Sequence, residues 1–143
     1  MSPQKIHLVQ ASFEQVLPIA DSVAALFYSR LFELDPGLRS LFNAGMQEQG
    51  HKYMALIHLV VANLDRPDTI VPMLQALGRR HAAYGVNDSH YETMSGALLW
   101  ALAKSLGPSF TPDVREAWAE VYTLLADTMK AAVQPPVLNP VVM

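Results

Sequence analysis

The hydrophobic periodicity of this chain constrains its fold more than any other feature. Apolar residues recur every three to four positions along most of the sequence, and no stretch alternates with the two-residue period of a β-strand. Ile6, Val9 and Phe13 illustrate the helical spacing near the N-terminus. The sequence therefore predicts an all-α chain of six to seven helices, joined by short connections.

Prolines, glycines and capping residues divide this pattern into segments. Pro18 cannot donate a hydrogen bond to the helix that it enters, so it should end the first helix. Gly85 is expected to close a helix, Ser89 and Glu92 have the spacing of a capping box, and Thr111 should cap the last helix. The predicted helices cover residues 4–17, 19–34, 47–63, 69–84, 89–106 and 111–132, with a loop at 43–45.

The length of 143 residues suits one domain, expected over residues 1–133, with a proline-containing tail at 134–143 that is expected to be flexible. Hydrophobic residues make up 51% of the chain and charged residues only 16%, which favours an extensive core or a pocket for an apolar ligand. The net charge of −3 gives no electrostatic reason to expect a nucleic-acid partner.

Cysteine is absent, which excludes disulfides and thiolate metal sites and is consistent with a cytoplasmic location. The N-terminus lacks the apolar core of a signal peptide. The apolar runs are shorter than the ~20 residues that span a bilayer, so no membrane partner is expected.

Five histidines are the main candidates for chemistry, since nucleophile elbows, phosphate-binding glycine loops, zinc-protease motifs, EF-hand loops and Glu-x-x-His pairs are all missing. His7 and His90 are expected to be solvated or to cap a helix. His51 and His58 are seven residues apart, or ~10 Å along a helix, which disfavours a shared metal ion.

His81 differs from the other histidines because it ends an apolar helix face. Leu77 and Gly78 lie one turn before it, and the glycine would let a flat ligand approach. A neutral imidazole in such surroundings can hold the iron of a haem, although a lone helical histidine also occurs as a structural residue. The adjacent Arg79 and Arg80 could pair with carboxylates of a ligand or form an ordinary solvated face.

A second group of candidates lies upstream. Tyr28 interrupts an apolar helix face with a hydroxyl that needs a partner if it is buried, and Phe42 lies in the turn that follows that helix. Gln49 and Tyr53 are four residues apart and share one helix face. These residues form either a polar cluster facing His81 across a pocket, or a surface glutamine with aromatic core residues.

The order and spacing of several segments carry a family resemblance over roughly residues 5–130. These segments are Leu26–Phe32, Asp35-Pro36, Leu41-Phe42, Gln49, Leu77–His81, Tyr84–Val86, His90-Tyr91, Ala117-Trp118 and Val121-Tyr122. Because of these segments, the chain resembles the globins, specifically single-domain bacterial globins related to the haem domain of flavohaemoglobins. The resemblance implies a globin fold around a pocket for haem b, iron protoporphyrin IX.

The resemblance also implies roles for the candidate residues. His81 would be the proximal metal ligand, with its second ring nitrogen donating to a backbone carbonyl or a nearby side chain. Phe42 would pack flat against the porphyrin. Tyr28 and Gln49 would be the catalytic pair on the distal side, donating hydrogen bonds to a bound gas such as dioxygen.

The resemblance implies three further cofactor contacts. Leu77 would contact the haem, and Tyr91 fits the place of a tyrosine beside the proximal histidine. Lys52 or Arg80 could pair with the haem propionates. Tyr53 departs from the family, where an aliphatic residue is usual. It could be a third polar donor, ligate or shield the iron, or turn outward.

A second departure is the glutamate that flavohaemoglobins pair with the proximal histidine and tyrosine. No glutamate falls clearly at that place, and Asp127 is only a distant substitute.

The function implied is a haem protein that binds dioxygen, nitric oxide and carbon monoxide, with nitric oxide dioxygenase activity when it is reduced. We expect no flavin or nicotinamide domain after residue 143, and therefore predict a separate reductase. The alternatives are a non-catalytic oxygen carrier, store or gas sensor, and a helical protein without haem that docks a partner. Either a monomer or a homodimer is compatible with the sequence.

Overall fold

The computed structural model describes residues 1–42 and 45–133 of the chain, and these residues form six α-helices without a strand. The helices are α1 (Pro3–Val16), α2 (Ala20–Leu34), α3 (Met46–Ala62), α4 (Val71–Ala83), α5 (Asp88–Leu106) and α6 (Pro112–Ala131). Short 3-10 turns lie at Leu17–Ile19, Pro36–Leu41, Pro67–Thr69 and Gly107–Ser109. The all-α prediction is confirmed, and each predicted helix boundary is within two residues of the observed one.

Two predictions fall at least partly outside the described residues. They are the flexible tail at 134–143 and the loop at 43–45, of which only Gly45 is described. In the described part of the chain, none of the helices combines the length and apolar character that crossing a membrane requires.

Helix α6 shows how the periodicity forms the core. Its buried residues follow one another at alternating intervals of three and one, which places all of them on one stripe of the helix. They are Val114, Ala117, Trp118, Val121, Tyr122, Leu125, Ala126 and Met129. This stripe packs against α1, α4 and α5, while α2 packs against α3 and α5. The core therefore lies among all six helices.

A buried hydrogen bond fixes α1 on α6. The indole nitrogen of Trp118 donates to the hydroxyl of Ser12 at 2.9 Å, and Ser12 donates in turn to the carbonyl of Val9 at 3.0 Å. Trp118 is 1% exposed, so its N–H needs this partner. At the surface, the ammonium of Lys5 pairs with the carboxylate of Glu120 at 2.7 Å.

The start of α5 differs from the predicted capping box at Ser89 and Glu92. Asn87 is the N-cap, in an extended conformation, and its side-chain oxygen accepts from the backbone N–H of His90 at 3.3 Å. The Nδ1 atom of His90 accepts from the backbone N–H of Asn87 at 3.1 Å, which completes the box. Ser89 lies inside the helix, where its hydroxyl donates to the Asn87 side chain. The prediction was wrong because histidine takes the place that glutamate usually has.

Candidate functional site

A cavity of about 490 Å³ opens between α2, α3, α4, α5 and α6. Its volume is within the ~300–1,000 Å³ that is typical of small-molecule sites. All nine residues expected to bind the cofactor, the metal or the gas line it: Tyr28, Phe42, Gln49, Lys52, Tyr53, Leu77, Arg80, His81 and Tyr91. The fold thus brings together residues from four helices and one turn.

The end of α4 positions His81. Gly85 has a φ of +93°, a left-handed conformation that favours glycine. This conformation lets the N–H of Val86 donate to the carbonyl of His81 at 3.0 Å, and that of Gly85 to the carbonyl of Ala82 at 3.0 Å. These two bonds are a Schellman motif, which satisfies the last helix carbonyls and fixes the turn that carries the histidine. The prediction that Gly85 closes this helix is confirmed.

The imidazole of His81 is held in apolar surroundings. Its ring meets the ring of Tyr91 edge-on, with centroids 6.4 Å apart and an angle of 86° between the planes. Burial lowers the pKa of His81, and the neighbouring Arg80 charge lowers it further, so the neutral imidazole is favoured. The neutral form is the one that ligates metals.

The Nδ1 atom of His81 is buried and has no hydrogen-bond partner. This differs from the expectation that the second ring nitrogen donates to a carbonyl or a nearby side chain. The carbonyls at this end of α4 accept backbone N–H groups instead: that of Arg80 accepts from Tyr84, and that of His81 from Tyr84 and Val86.

Gly78 has a different role from the one that the sequence suggests. A Cβ placed on it would lie 2.8 Å from the Cα and the carbonyl carbon of Met129 and would overlap its carbonyl oxygen. The missing side chain therefore admits the backbone of α6 rather than a flat ligand. The expectation that Gly78 opens the way for a ligand is wrong, because the glycine lies on the helix–helix contact.

Tyr28 and Gln49 lie together on the α2–α3 side of the cavity. Burial raises the pKa of the Tyr28 phenol to about 12, and a hydrogen-bonding influence of the Gln49 side chain opposes part of that rise. The ring of Tyr28 meets Phe42 edge-on, with centroids 5.4 Å apart, and is 4.9 Å from the ring of Phe27. The Tyr28 phenol therefore keeps its proton at neutral pH. The rings of Phe42 and Phe27 pack against it and fix its position.

Tyr53 points into the protein, so the alternative in which it turns outward is wrong. Its ring stacks on Phe27 with centroids 4.2 Å apart and only 10° between the planes, and it meets Tyr28 edge-on at 5.9 Å. The hydroxyl is buried and has no hydrogen-bond partner. Burial, with smaller contributions from Tyr122 and Tyr28, raises the pKa of this phenol well above its usual value.

The charged residues that line the cavity are both cations. Lys52 pairs with Glu48 at 3.5 Å, whereas none of the described carboxylates pairs with Arg80. Asp127 is exposed on α6 and does not line the cavity. Near Tyr91 there is instead a cation, since the ammonium of Lys130 lies 5.4 Å from its ring centroid.

Several lining residues were not predicted as site residues. Tyr122 on α6 is buried beside Tyr91, and Met73, Met94 and Met129 contribute flexible apolar side chains to the wall. On the sequence these residues have the spacing of ordinary core positions. Only the helix packing distinguishes a core residue from one that lines a cavity.

The remaining histidines have other contacts. His51 lies 3.1 Å from the carboxylate of Asp21, the ring of His58 is 5.4 Å from that of Phe13, and His7 is exposed. Within residues 1–42 and 45–133, no three histidine, aspartate or glutamate side chains come together as a metal site. His81 is thus the histidine that lines the cavity.

Comparison with known proteins agrees with this geometry. The globin family model matches residues 25–129. A flavohemoprotein of Chromobacterium violaceum is 33% identical over 132 residues, and one of Xylella fastidiosa is 32% identical over the same length. Each match covers 90% of this chain and 33% of the relative, so the chain spans about a third of the length of these curated relatives.

A solved structure is similar over almost the whole chain. It is an engineered carbene transferase, described as a candidate nitric oxide dioxygenase from Rhodothermus marinus, and it superimposes with a TM-score of 0.83 at 29% identity. The match covers 92% of both chains. With a family model that matches most of its length and a closely superimposable structure, this chain belongs to the globin family.

Proposed function

We propose that this chain binds haem b through His81 and uses it to bind dioxygen, nitric oxide and carbon monoxide reversibly. The observation that carries the proposal is the single cavity whose wall contains His81, Tyr28 and Gln49. When bound, haem supplies an iron that takes up diatomic gases and can carry out redox chemistry. The protein supplies the ligand, the hydrogen-bond donors and a cavity with a largely apolar wall.

The residues present fit a haem group. The imidazole of His81 lines the cavity and burial lowers its pKa, so a neutral ring is available to bind the iron. Phe42, Leu77 and the three methionines give the cavity apolar surfaces for a porphyrin face. At the rim, Arg80 is the better candidate for a propionate, since Lys52 already pairs with Glu48.

Tyr28 and Gln49 would act on the gas ligand. Both side chains can donate hydrogen bonds, and the raised pKa of Tyr28 keeps its donor proton in place. Each donor would stabilise a gas ligand that carries partial negative charge on its outer atom by about 1 kcal/mol. The pair would thus slow the escape of dioxygen.

We also propose that the reduced protein converts nitric oxide to nitrate when a separate partner returns the electron. One nitric oxide, one dioxygen and one electron give one nitrate ion, so each turnover needs a one-electron reductant. The structural neighbour described as a candidate nitric oxide dioxygenase supports this activity, and the relatives named flavohemoprotein support a haem cofactor. A cytoplasmic reductase is the expected class of partner.

The experiment begins with purified protein reconstituted with haem. An intense Soret band is expected, and its absence after addition of haemin would rule out the haem proposal. The reduced protein is then equilibrated with dioxygen and mixed with nitric oxide in a stopped-flow instrument. Stoichiometric nitrate and ferric protein are expected, and oxidation without nitrate would remove the dioxygenase activity from the proposal.

A non-catalytic carrier or store of dioxygen is the second candidate function. It is favoured by the surroundings of His81 and Tyr91, where the cavity wall includes no carboxylate and Lys130 lies against Tyr91 instead. A histidine without an acceptor for its second nitrogen is a weaker electron donor to iron. Slow dioxygen release combined with failure to form nitrate would select this function over the dioxygenase.

A further inference from the structure

We propose that Tyr53 is a third hydrogen-bond donor to the gas ligand, and that it makes the site selective for ligands with negative charge on their outer atom. Dioxygen and small anions such as fluoride belong to this class, whereas carbon monoxide does not. The inference rests on the proposed haem function and assigns the specificity of that site to a hydroxyl beyond the Tyr28–Gln49 pair.

The first observation is the hydroxyl itself. Its oxygen is buried, and it finds no donor or acceptor in the described protein. A buried hydroxyl without a partner costs free energy, and such groups in native proteins call for an explanation. Tyr53 lines the cavity, and a ligand would reach the unused hydrogen bond after a small shift of the side chains that cover the hydroxyl.

The second observation is that the ring is held firmly. It stacks on Phe27, which is 2% exposed, with centroids 4.2 Å apart, and it lies edge-on to Tyr28 at 5.9 Å. Aromatic contacts from two sides leave the ring little freedom to turn. A donor held before the ligand arrives costs less to order, which strengthens the binding of a ligand that can accept its hydrogen bond.

The third observation concerns the residues that line the cavity beside Tyr53. It lies one turn after Gln49 on α3, and Tyr28 of α2 lines the same cavity, so three donors share one wall. The charged side chains among the lining residues are the cations Lys52 and Arg80. These donors and cations together attract electron-rich ligands.

The test compares Tyr53→Phe with the unmodified holoprotein. Phenylalanine keeps the stacked ring and removes only the hydroxyl. We expect dioxygen to dissociate about tenfold faster, the fold-change of losing one hydrogen bond to a partly charged atom, while the carbon monoxide rates change by less than about twofold. The affinity of the ferric protein for fluoride, read from its absorption spectrum, should fall by about tenfold as well.

Thr123→Val is the control, because it removes an exposed hydroxyl of α6 outside the lining of the cavity. It should change none of these values. Tyr53→Leu, which also lacks the hydroxyl, serves as a second variant and should likewise release dioxygen faster.

The outcomes separate the two proposals. A protein that takes up no haem contradicts the proposed function. Normal haem uptake with unchanged dioxygen release and fluoride affinity in Tyr53→Phe overturns only the role of Tyr53. Equal acceleration of dioxygen and carbon monoxide release also overturns it, because the residue would then act through its shape.

Discussion

His81 and Gly78 lie one turn apart on α4 but have different neighbours. The histidine lines the cavity, whereas the glycine touches the backbone of Met129 on α6. Residue type and spacing were enough to single out His81 as the candidate ligand. They were not enough to assign Gly78, because Met129, the residue that needs the space, lies more than fifty positions further along the chain.

The proposed ligand role of His81 gives the first prediction. His81→Ala removes the imidazole and should reduce haem retention strongly, because the apolar walls of the cavity would then hold the group without an axial bond. The Soret absorbance per protein, measured after gel filtration, checks this. His7→Ala, which alters an exposed histidine of α1, should retain haem normally. A normal histidine-ligated spectrum in His81→Ala would contradict the assignment.

At the scale of elements, the contact of α4 with α6 decides where the cavity lies. The backbone of Met129 reaches Gly78, so the two helices approach as closely as a glycine permits. This contact and the Schellman motif at Gly85 together hold the turn that carries His81. The helix ends were predictable from local signals, but the distance between the helices was not.

Two glycine substitutions test this contact. Gly78→Ala should lower the free energy of unfolding by about 2 kcal/mol, since the new Cβ overlaps backbone atoms that cannot rotate away. Gly96→Ala is the control, because Gly96 is exposed within α5 and a Cβ there meets nothing within 4 Å. Denaturant unfolding should show that Gly96→Ala is more stable than the unmodified protein by about 0.5–1 kcal/mol. Equal effects of the two substitutions would contradict the close approach.

At the scale of the whole molecule, four helices bring buried phenols together. Tyr28 of α2, Tyr53 of α3, Tyr91 of α5 and Tyr122 of α6 all line the cavity, and burial raises the pKa of each above its usual value of 10.0. No local pattern in the sequence predicts that these four tyrosines line one cavity. It arises from the packing of segments that are far apart along the chain.

The raised pKa values predict how stability depends on pH. Above pH 10 the unfolded chain releases phenolic protons that the folded protein keeps, so the folded state binds more protons. The resulting stability is complete below pH 10 and is lost as pH rises through the folded pKa, which is about 12 for Tyr28. Denaturant unfolding at increasing alkaline pH should reveal this fall. Ionisation of all tyrosines near pH 10, seen in phenolate absorbance, would contradict it.

The helices and the candidate ligand could be inferred from the amino-acid sequence alone. Apolar spacing, Pro18, Gly85 and Thr111 act within a few residues of themselves, so their effects can be inferred from a local pattern.

Helix packing in three dimensions determines which polar groups lack a partner and which residues line the cavity. The unpaired hydroxyl of Tyr53, the unpaired Nδ1 of His81 and the position of Tyr122 depend on contacts between distant helices. Hydrogen-bond partners are a property of packing, and packing is set by every helix at once.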